Sequence, residues 1–167
     1  MVSGLGVTAV AGVAESGLID TGSHTLSLSA TDVAGNETAL PFELAFEFDT
    51  QSPLLDAVLT PDTGQVDDDG ITNDTDAKIE GSISDSREID SFTAQVDGGD
   101  IVDLFDQFGL DFAADGTFEL TLDDLADVAG VSRDDLIDSG QHTLLLIATD
   151  DLGNETDPPF ELVFEID

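Results

Sequence analysis

Residues 61–76 (PDTGQVDDDGITNDTD) are crowded with oxygen donors. Six of these sixteen residues are Asp, Asn73 lies among them, and the segment holds no Lys or Arg. Carboxylates this close together repel one another, and a divalent cation reverses that repulsion. We therefore predict that this loop holds a metal ion, with ligands drawn from Asp62, Asp67, Asp69, Asn73, Asp74 and Asp76. The alternative is a solvated acidic loop held by Asx turns.

Calcium is the metal that these donors suit best. It accepts about six to eight oxygen ligands in loose geometry, whereas magnesium keeps a stricter octahedron and more of its water. The chain has no Cys and only two His, which argues against zinc.

Other chemistries are excluded or disfavoured by composition. A formal net charge of −35, with Lys78, Arg87 and Arg133 as the only basic residues, excludes a nucleic-acid interface. His24 and His142 have no Ser or Cys partner at a telling position, and acidic residues are too common to single out an acid and base pair. We expect no enzyme activity. No apolar run approaches the roughly 20 residues of a membrane span, so we expect no membrane insertion.

The chain contains an internal repeat. Residues 18–49 and 136–167 are identical at 22 of 32 positions with a constant offset of 118, and residues 10–13 match 128–131 at the same offset. A period this long indicates a tandem array of whole domains. We therefore expect residues 50–167 to be one complete module and residues 1–49 to be the end of a preceding one.

Strand patterns indicate a β-sandwich. The last strand alternates, with Phe160, Leu162, Phe164 and Ile166 on one face, and Leu144, Leu146 and Ala148 mark the inward face of the strand before it. Further short strands are expected at 54–59, 77–83, 89–96, 101–105 and 117–122. About seven strands with frequent turns predict an all-β, immunoglobulin-like Greek-key sandwich. Leu122, Leu125 and Val128 recur at helical spacing, so a short helix is expected to be inserted near 122–137.

This topology places a second group of donors near the segment that enters the module. The turn before the last strand and the loop after the second strand should both lie at that end, opposite the 61–76 loop. The predicted additional calcium ligands are Asp49, Asp85, Asp150, Asp151, Asn154 and Glu155. A merely polar hinge is the alternative for this site, and a tight turn with positive φ at Gly and Asn is the alternative for Asn154.

Several motifs resemble bacterial Ig-like repeats. Residues 31–37 (TDVAGNE) and 149–155 (TDDLGNE) are similar to their T-D-x-x-G-N turn, and residues 61–64 followed by 69–74 are similar to their long first loop. Such modules form the extender region of giant RTX-type biofilm adhesins that type I systems secrete to the bacterial outer cell surface. The resemblance implies a spacer that calcium stiffens and that projects binding domains located elsewhere. The helical insertion and the extra acidity depart from that pattern.

The function expected from the sequence is thus a calcium-stabilised structural spacer, with Ca2+ as its ligand and neighbouring repeats of the same chain as its partners. One alternative is a module that itself binds a glycan or a protein through calcium. A second is a generic acidic domain of a salt-adapted secreted enzyme, and the near-duplicate segment at the 118-residue offset argues against it. The chain is expected to be secreted to the cell surface and to be monomeric. Strand-exchange contacts of residues 1–49 are the expected exception, because two strands cannot close a sandwich and would leave an apolar stripe exposed.

Overall fold

The computed structural model describes residues 21–64, 66, 69–110, 112, 116–138 and 140–167. The chain divides into two compact units, Met1–Thr50 and Gln51–Asp167. We call them the N-terminal unit and the C-terminal unit and describe each by itself.

The described part of the N-terminal unit is an antiparallel strand pair. Strand β1 (Gly22–Leu28) pairs with β2 (Phe42–Phe48) from Gly22 opposite Phe48 to Leu28 opposite Phe42. Both strands alternate apolar and polar residues, which places the apolar side chains of the pair on one face.

The C-terminal unit contains eight strands and three short helices in its described residues. In chain order these are β3 (Leu54–Thr60), β4 (Ile71–Thr72), β5 (Lys78–Ser84), β6 (Ile89–Val96), β7 (Val102–Asp103), α1 (Leu104–Phe108), β8 (Thr117–Thr121), α2 (Leu122–Ala129), α3 (Arg133–Asp138), β9 (Gln141–Asp150) and β10 (Phe160–Ile166).

The strands of the C-terminal unit form two sheets. One has the order β3-β5-β8 and is antiparallel throughout; the other has the order β4-β10-β9-β6-β7, in which β4 runs parallel to the end of β10. The connections β3–β4, β4–β5, β5–β6, β7–β8 and β8–β9 cross from one sheet to the other, whereas β6–β7 and β9–β10 join neighbours in the same sheet. Such crossing connections are typical of Greek-key sandwiches. The predicted all-β, immunoglobulin-like sandwich is therefore confirmed.

The core lies between these sheets. Alternate residues of β9 and β10 are buried as predicted, with Leu144, Leu146 and Ala148 fully inaccessible and Phe164 and Ile166 nearly so. They share one apolar cluster with side chains of the opposite sheet, including Leu59, Ile79 and Leu120. Alternation with a period of two predicts the inward face because every strand of a two-layer sandwich turns one face to the core.

The predicted helical segment exists as two helices rather than one. Thr121 and Asp124 form a capping box at the start of α2, and Gly130 ends the helix with φ at +70°. The apolar stripe predicted at Leu122, Leu125 and Val128 is buried. Helix α3 begins three residues after Gly130, because a left-handed glycine cannot continue the first helix.

The strand predicted at 101–105 is only partly correct. Just Val102 and Asp103 pair with β6. The Asp103 side chain accepts hydrogen bonds from the N–H groups of Phe105 and Asp106 and so starts helix α1. An aspartate at an N-cap position outweighs the strand tendency of the apolar residues that follow it.

Candidate metal site

Asp150 organises the turn between β9 and β10. Its Oδ1 accepts hydrogen bonds from the N–H groups of Leu152 (2.9 Å) and Asn154 (2.8 Å), and its Oδ2 accepts one from the Asn154 side-chain amide (2.7 Å). Burial raises the pKa of Asp150, but these hydrogen bonds outweigh it and hold the pKa below its usual value. The carboxylate is therefore ionised although its residue is only 1% exposed.

Asp85 lies beside Asp150. It comes from the loop between β5 and β6, where its Oδ1 accepts a hydrogen bond from the Arg87 N–H at 2.7 Å. A carboxylate oxygen of Asp85 and one of Asp150 lie within 4.8 Å of each other. Two oxygens that bind one calcium ion are at most about 5 Å apart, because each lies about 2.3–2.6 Å from the metal. The pair therefore has the chemistry and the spacing of two calcium ligands.

The neighbouring residues of the turn have other partners. Asp151 forms a two-pronged ion pair with Arg87, with Nε–Oδ1 at 2.8 Å and an Nη–Oδ2 contact at 2.7 Å. The Asn154 side-chain amide donates a hydrogen bond to Asp150. Glu155 is exposed and lies opposite Thr149 in an isolated antiparallel bridge. Of the donors predicted in this turn, Asp150 is the one that the structure brings next to Asp85.

The tight-turn alternative for Asn154 is half correct. Gly153 has φ at +88°, as the turn requires, but Asn154 is not among the described residues with positive φ. Its contribution is instead the side-chain hydrogen bond to Asp150.

Asp49 belongs to the N-terminal unit. Its Oδ1 accepts a hydrogen bond from the Thr21 hydroxyl at 3.2 Å, and the Thr21 hydroxyl in turn accepts one from the Thr50 N–H. Its part in a calcium site stays a prediction from the sequence.

The loop between β3 and β5 is anchored through Asp62 and Gly70. Asp62 Oδ2 accepts the Gly70 N–H at 2.9 Å, and the Gly70 carbonyl accepts the N–H of Glu165 in β10. Gly70 has φ at +75°, and a Cβ there would lie 2.7 Å from the Val163 carbonyl oxygen. Within the described part of the chain, Asp62 Oδ1 is buried and has no hydrogen-bond partner. A buried carboxylate oxygen of this kind fits a bound cation.

Other predicted ligands of this loop stabilise its turns. Asp69 Oδ1 accepts the Ile71 N–H, and Asp74 Oδ1 accepts the Asp76 N–H, so both form the Asx turns considered as the alternative. Asn73 accepts a hydrogen bond from the Thr63 hydroxyl at 3.0 Å.

Asp76, predicted as a ligand of the same loop, is largely exposed and pairs with Arg133 at 3.1 Å. Asp67 lies outside the described residues. In the part of the chain that is described, no group of three carboxylates from this loop lies close enough together to share an ion.

A contact between the buried His142 and Asp97 was not predicted from the sequence. His142 Nε2 donates to the Leu136 carbonyl at 2.7 Å, and its Nδ1 lies 2.6 Å from Asp97 Oδ2. Burial raises the pKa of Asp97, but hydrogen bonds from the Thr143 N–H and from His142 outweigh it and lower the pKa. Both ring nitrogens are occupied by structural partners that join α3, β9 and the β6–β7 turn. Nothing in the local sequence around Asp97 signalled this contact, which spans 45 positions.

Comparisons with known proteins do not assign the chain to a family. No protein-family model matches the chain, and no curated protein matches it either. It is similar to a solved structure described as "Ca2+-stabilized adhesin helps an Antarctic bacterium reach out and bind ice", with 18% identity and a TM-score of 0.38. The match covers 93% of this chain and 34% of that one, so the chain spans about a third of that structure's length. This likeness carries no conclusion about function. None of the helices in the described residues is long and apolar enough to cross a membrane.

Proposed function

We propose that residues 51–167 form a calcium-stabilised structural module that works as a spacer in a large secreted protein of the bacterial cell surface. The observation that carries this proposal is the pair Asp85 and Asp150, whose carboxylate oxygens lie within 4.8 Å of each other at one end of the sandwich.

The electrostatics of this pair favour a cation. Asp150 is ionised and buried, and Asp85 points a second carboxylate toward it. Arg87, the nearest basic residue in sequence, has its guanidinium on Asp151. A divalent ion between Asp85 and Asp150 converts their repulsion into two attractions and leaves the ion room for backbone oxygens and water.

Asp62 supports a second cation at the opposite end of the sandwich. Its loop reaches β10 next to the strand's last residues, because β4 pairs with Glu165 and Ile166. The buried Asp62 Oδ1 lacks a partner among the described residues, and the loop around it is acidic. Ions at both ends of a module would stiffen its loops and stabilise the native state by mass action.

The adhesin part of the proposal comes from the sequence. The T-D-x-x-G-N turns and the long first loop resemble extender repeats of RTX-type biofilm adhesins, whose partners are neighbouring repeats of the same chain. A structural role also suits His142, because both of its ring nitrogens are occupied by protein partners. We propose no catalytic function and a location at the outer cell surface.

Thermal unfolding tests the calcium site. We expect the melting temperature of the full chain to rise in millimolar calcium relative to EDTA, since extracellular modules bind calcium at about 10⁻⁴ to 10⁻³ M. Asp85→Asn should remove the part of this rise that comes from an ion bound by Asp85 and Asp150. Asp100→Asn is the matched control, because it removes one charge from an exposed turn residue. Asp49→Asn tests the sequence-based prediction that Asp49 is a further ligand.

The outcomes separate three cases. Equal melting temperatures in EDTA and in calcium would overturn the structural role of the ion. A calcium-dependent rise that Asp85→Asn and Asp100→Asn reduce equally would show general charge screening instead of a site. Partial losses of the rise in Asp62→Asn and in Asp85→Asn that add up in the double variant would indicate two sites, which isothermal titration with calcium can count.

The spacer role needs a separate measurement. Small-angle scattering of a chain with several modules in tandem should give a larger maximum dimension in calcium than in EDTA. An unchanged maximum dimension would overturn the spacer mechanism even if calcium stabilises each module.

A further inference from the structure

The strand pair β1–β2 repeats the pair β9–β10 in register as well as in sequence. Leu26 lies opposite Leu44, just as Leu144 lies opposite Leu162 118 positions later. The ring contact between His24 and Phe46 (5.5 Å between centroids) likewise has its counterpart between His142 and Phe164 (5.3 Å). The two pairs are therefore the same structural element.

Their apolar faces differ in burial. Leu146 is 0% exposed, whereas its counterpart Leu28 is 44% exposed. Phe164 is 1% exposed and its counterpart Phe46 is 37% exposed. The face of β1–β2 also includes Phe42, Leu44 and Phe48, all of which are exposed. A contiguous apolar face of this size on a two-stranded sheet is stable only when another element covers it.

The C-terminal unit shows what covers such a face. There, one edge of β9 pairs with β10 and the other edge pairs with β6. The apolar face of β9 and β10 packs against the opposite sheet β3-β5-β8. Among the described residues, β1 pairs only with β2. The part of the chain that the structure describes thus gives the β1–β2 pair neither an edge partner nor an opposite sheet.

We infer that the apolar face of β1–β2 is a docking surface for the first part of an Ig-like module, a segment of the sequence type of residues 50–135 that precedes the strand pair in the same chain. The identity of 22 out of 32 residues means that the face complements side chains like those of Leu59, Ile79 and Leu120. The inference does not depend on calcium. It can therefore fail while the proposed function holds, and the proposed function can fail while the inference holds.

The test extends the chain. A copy of residues 50–135 is placed directly before residue 18, in place of residues 1–17, which restores the 118-residue register. Hydrogen exchange, followed by mass spectrometry, then compares peptides from 22–28 and 42–48 with those from 141–150 and 160–166. We expect exchange in β1 and β2 to slow by at least about 100-fold, to the rate of β9 and β10, in calcium and in EDTA alike.

A matched control keeps the length and removes the core. In a second extended chain, the added positions that copy Ile79 and Leu120 carry Asp, and β1–β2 should then exchange as fast as in the original chain. Unchanged exchange in the intact extension would overturn the inference. Slow exchange in the original chain would do so too, with sedimentation deciding whether a second copy or residues 1–20 cover the face.

Discussion

The two copies of the repeated strand pair show which parts of the structure are local and which are not. In β1–β2 and β9–β10 the pairing register is the same, and so is the turn that joins the strands. Asp32 accepts hydrogen bonds from the N–H groups of Ala34 and Asn36 and from the Asn36 side chain, as Asp150 does from its own turn. Turn chemistry and alternation therefore suffice for the strand pair itself.

The two copies of the strand pair differ in how far their apolar side chains are buried. The apolar side chains of β9–β10 are in a core, and those of β1–β2 are exposed, although most of the residues are identical. Asp150 is likewise buried while Asp32 is exposed. Because burial sets the free energy of unfolding that each residue contributes, identical substitutions in the two copies should have unequal effects.

The largest difference is expected for a core leucine. Leu146→Ala should lower the free energy of unfolding of the C-terminal unit by about 2–5 kcal/mol, since it removes a fully buried side chain. Leu28→Ala, its counterpart, should leave the urea transition of that unit unchanged. Equal losses from the two substitutions would contradict the comparison, and the slope of the transition checks that both variants unfold in the same way.

The second-largest difference in the free energy of unfolding is expected between substitutions of Asp150 and of its counterpart Asp32. Asp150→Ala removes three hydrogen bonds to a buried carboxylate and should cost about 2–3 kcal/mol in the free energy of unfolding. Asp32→Ala in the exposed copy of the turn should have a smaller effect. Urea unfolding in EDTA measures both without a contribution from calcium. An effect of Asp32→Ala as large as that of Asp150→Ala would mean that the turn alone, and not its burial, sets the cost.

Sequence patterns predicted the fold well because they rest on local rules. The inward faces of β9 and β10, the buried stripe at Leu122, Leu125 and Val128, and the sandwich class all follow from periodicity. The end of the 101–105 strand was missed because one aspartate, Asp103, caps a helix there.

Site residues were harder to predict, since a carboxylate in a loop has several uses. Asp150 and Asp85 come together, whereas Asp69 and Asp74 hold Asx turns and Asp76 pairs with Arg133. Composition cannot separate these roles, because each depends on which backbone N–H groups and which basic side chains the fold places within reach.

The contact between Asp97 and His142 should make the free energy of unfolding of the C-terminal unit depend on pH. The pKa of Asp97 is lower in the folded than in the unfolded chain, so its contribution is complete above the usual aspartate value of 3.8 and is lost as the pH falls through the folded value. Because the Asp97 side chain is 47% exposed and solvent screens its charge, Asp97→Asn should cost only about 1 kcal/mol near neutral pH. The difference in the free energy of unfolding from the parent chain should narrow below pH 3.8. Urea unfolding between pH 3 and pH 7 measures this difference.

His142 and its repeat counterpart provide the control. His142→Ala should remove most of the effect of Asp97→Asn, because the two substitutions break the same contact. His24→Ala should leave the C-terminal unit unchanged. A gap between Asp97→Asn and the parent chain that stays constant with pH would show that the ionised form of Asp97 is not what stabilises the fold.

The smallest difference is expected at Asp151, which follows Asp150 and stands where the earlier copy has the uncharged Val33. Asp151→Val breaks the ion pair with Arg87, which is partly exposed, so the cost should stay below about 1 kcal/mol. Because salt screens an exposed pair, the loss should shrink in 1 M sodium chloride. A loss that persists at high salt would assign the role of Asp151 to packing, and a double-mutant cycle with Arg87→Gln would then show no coupling between the two side chains.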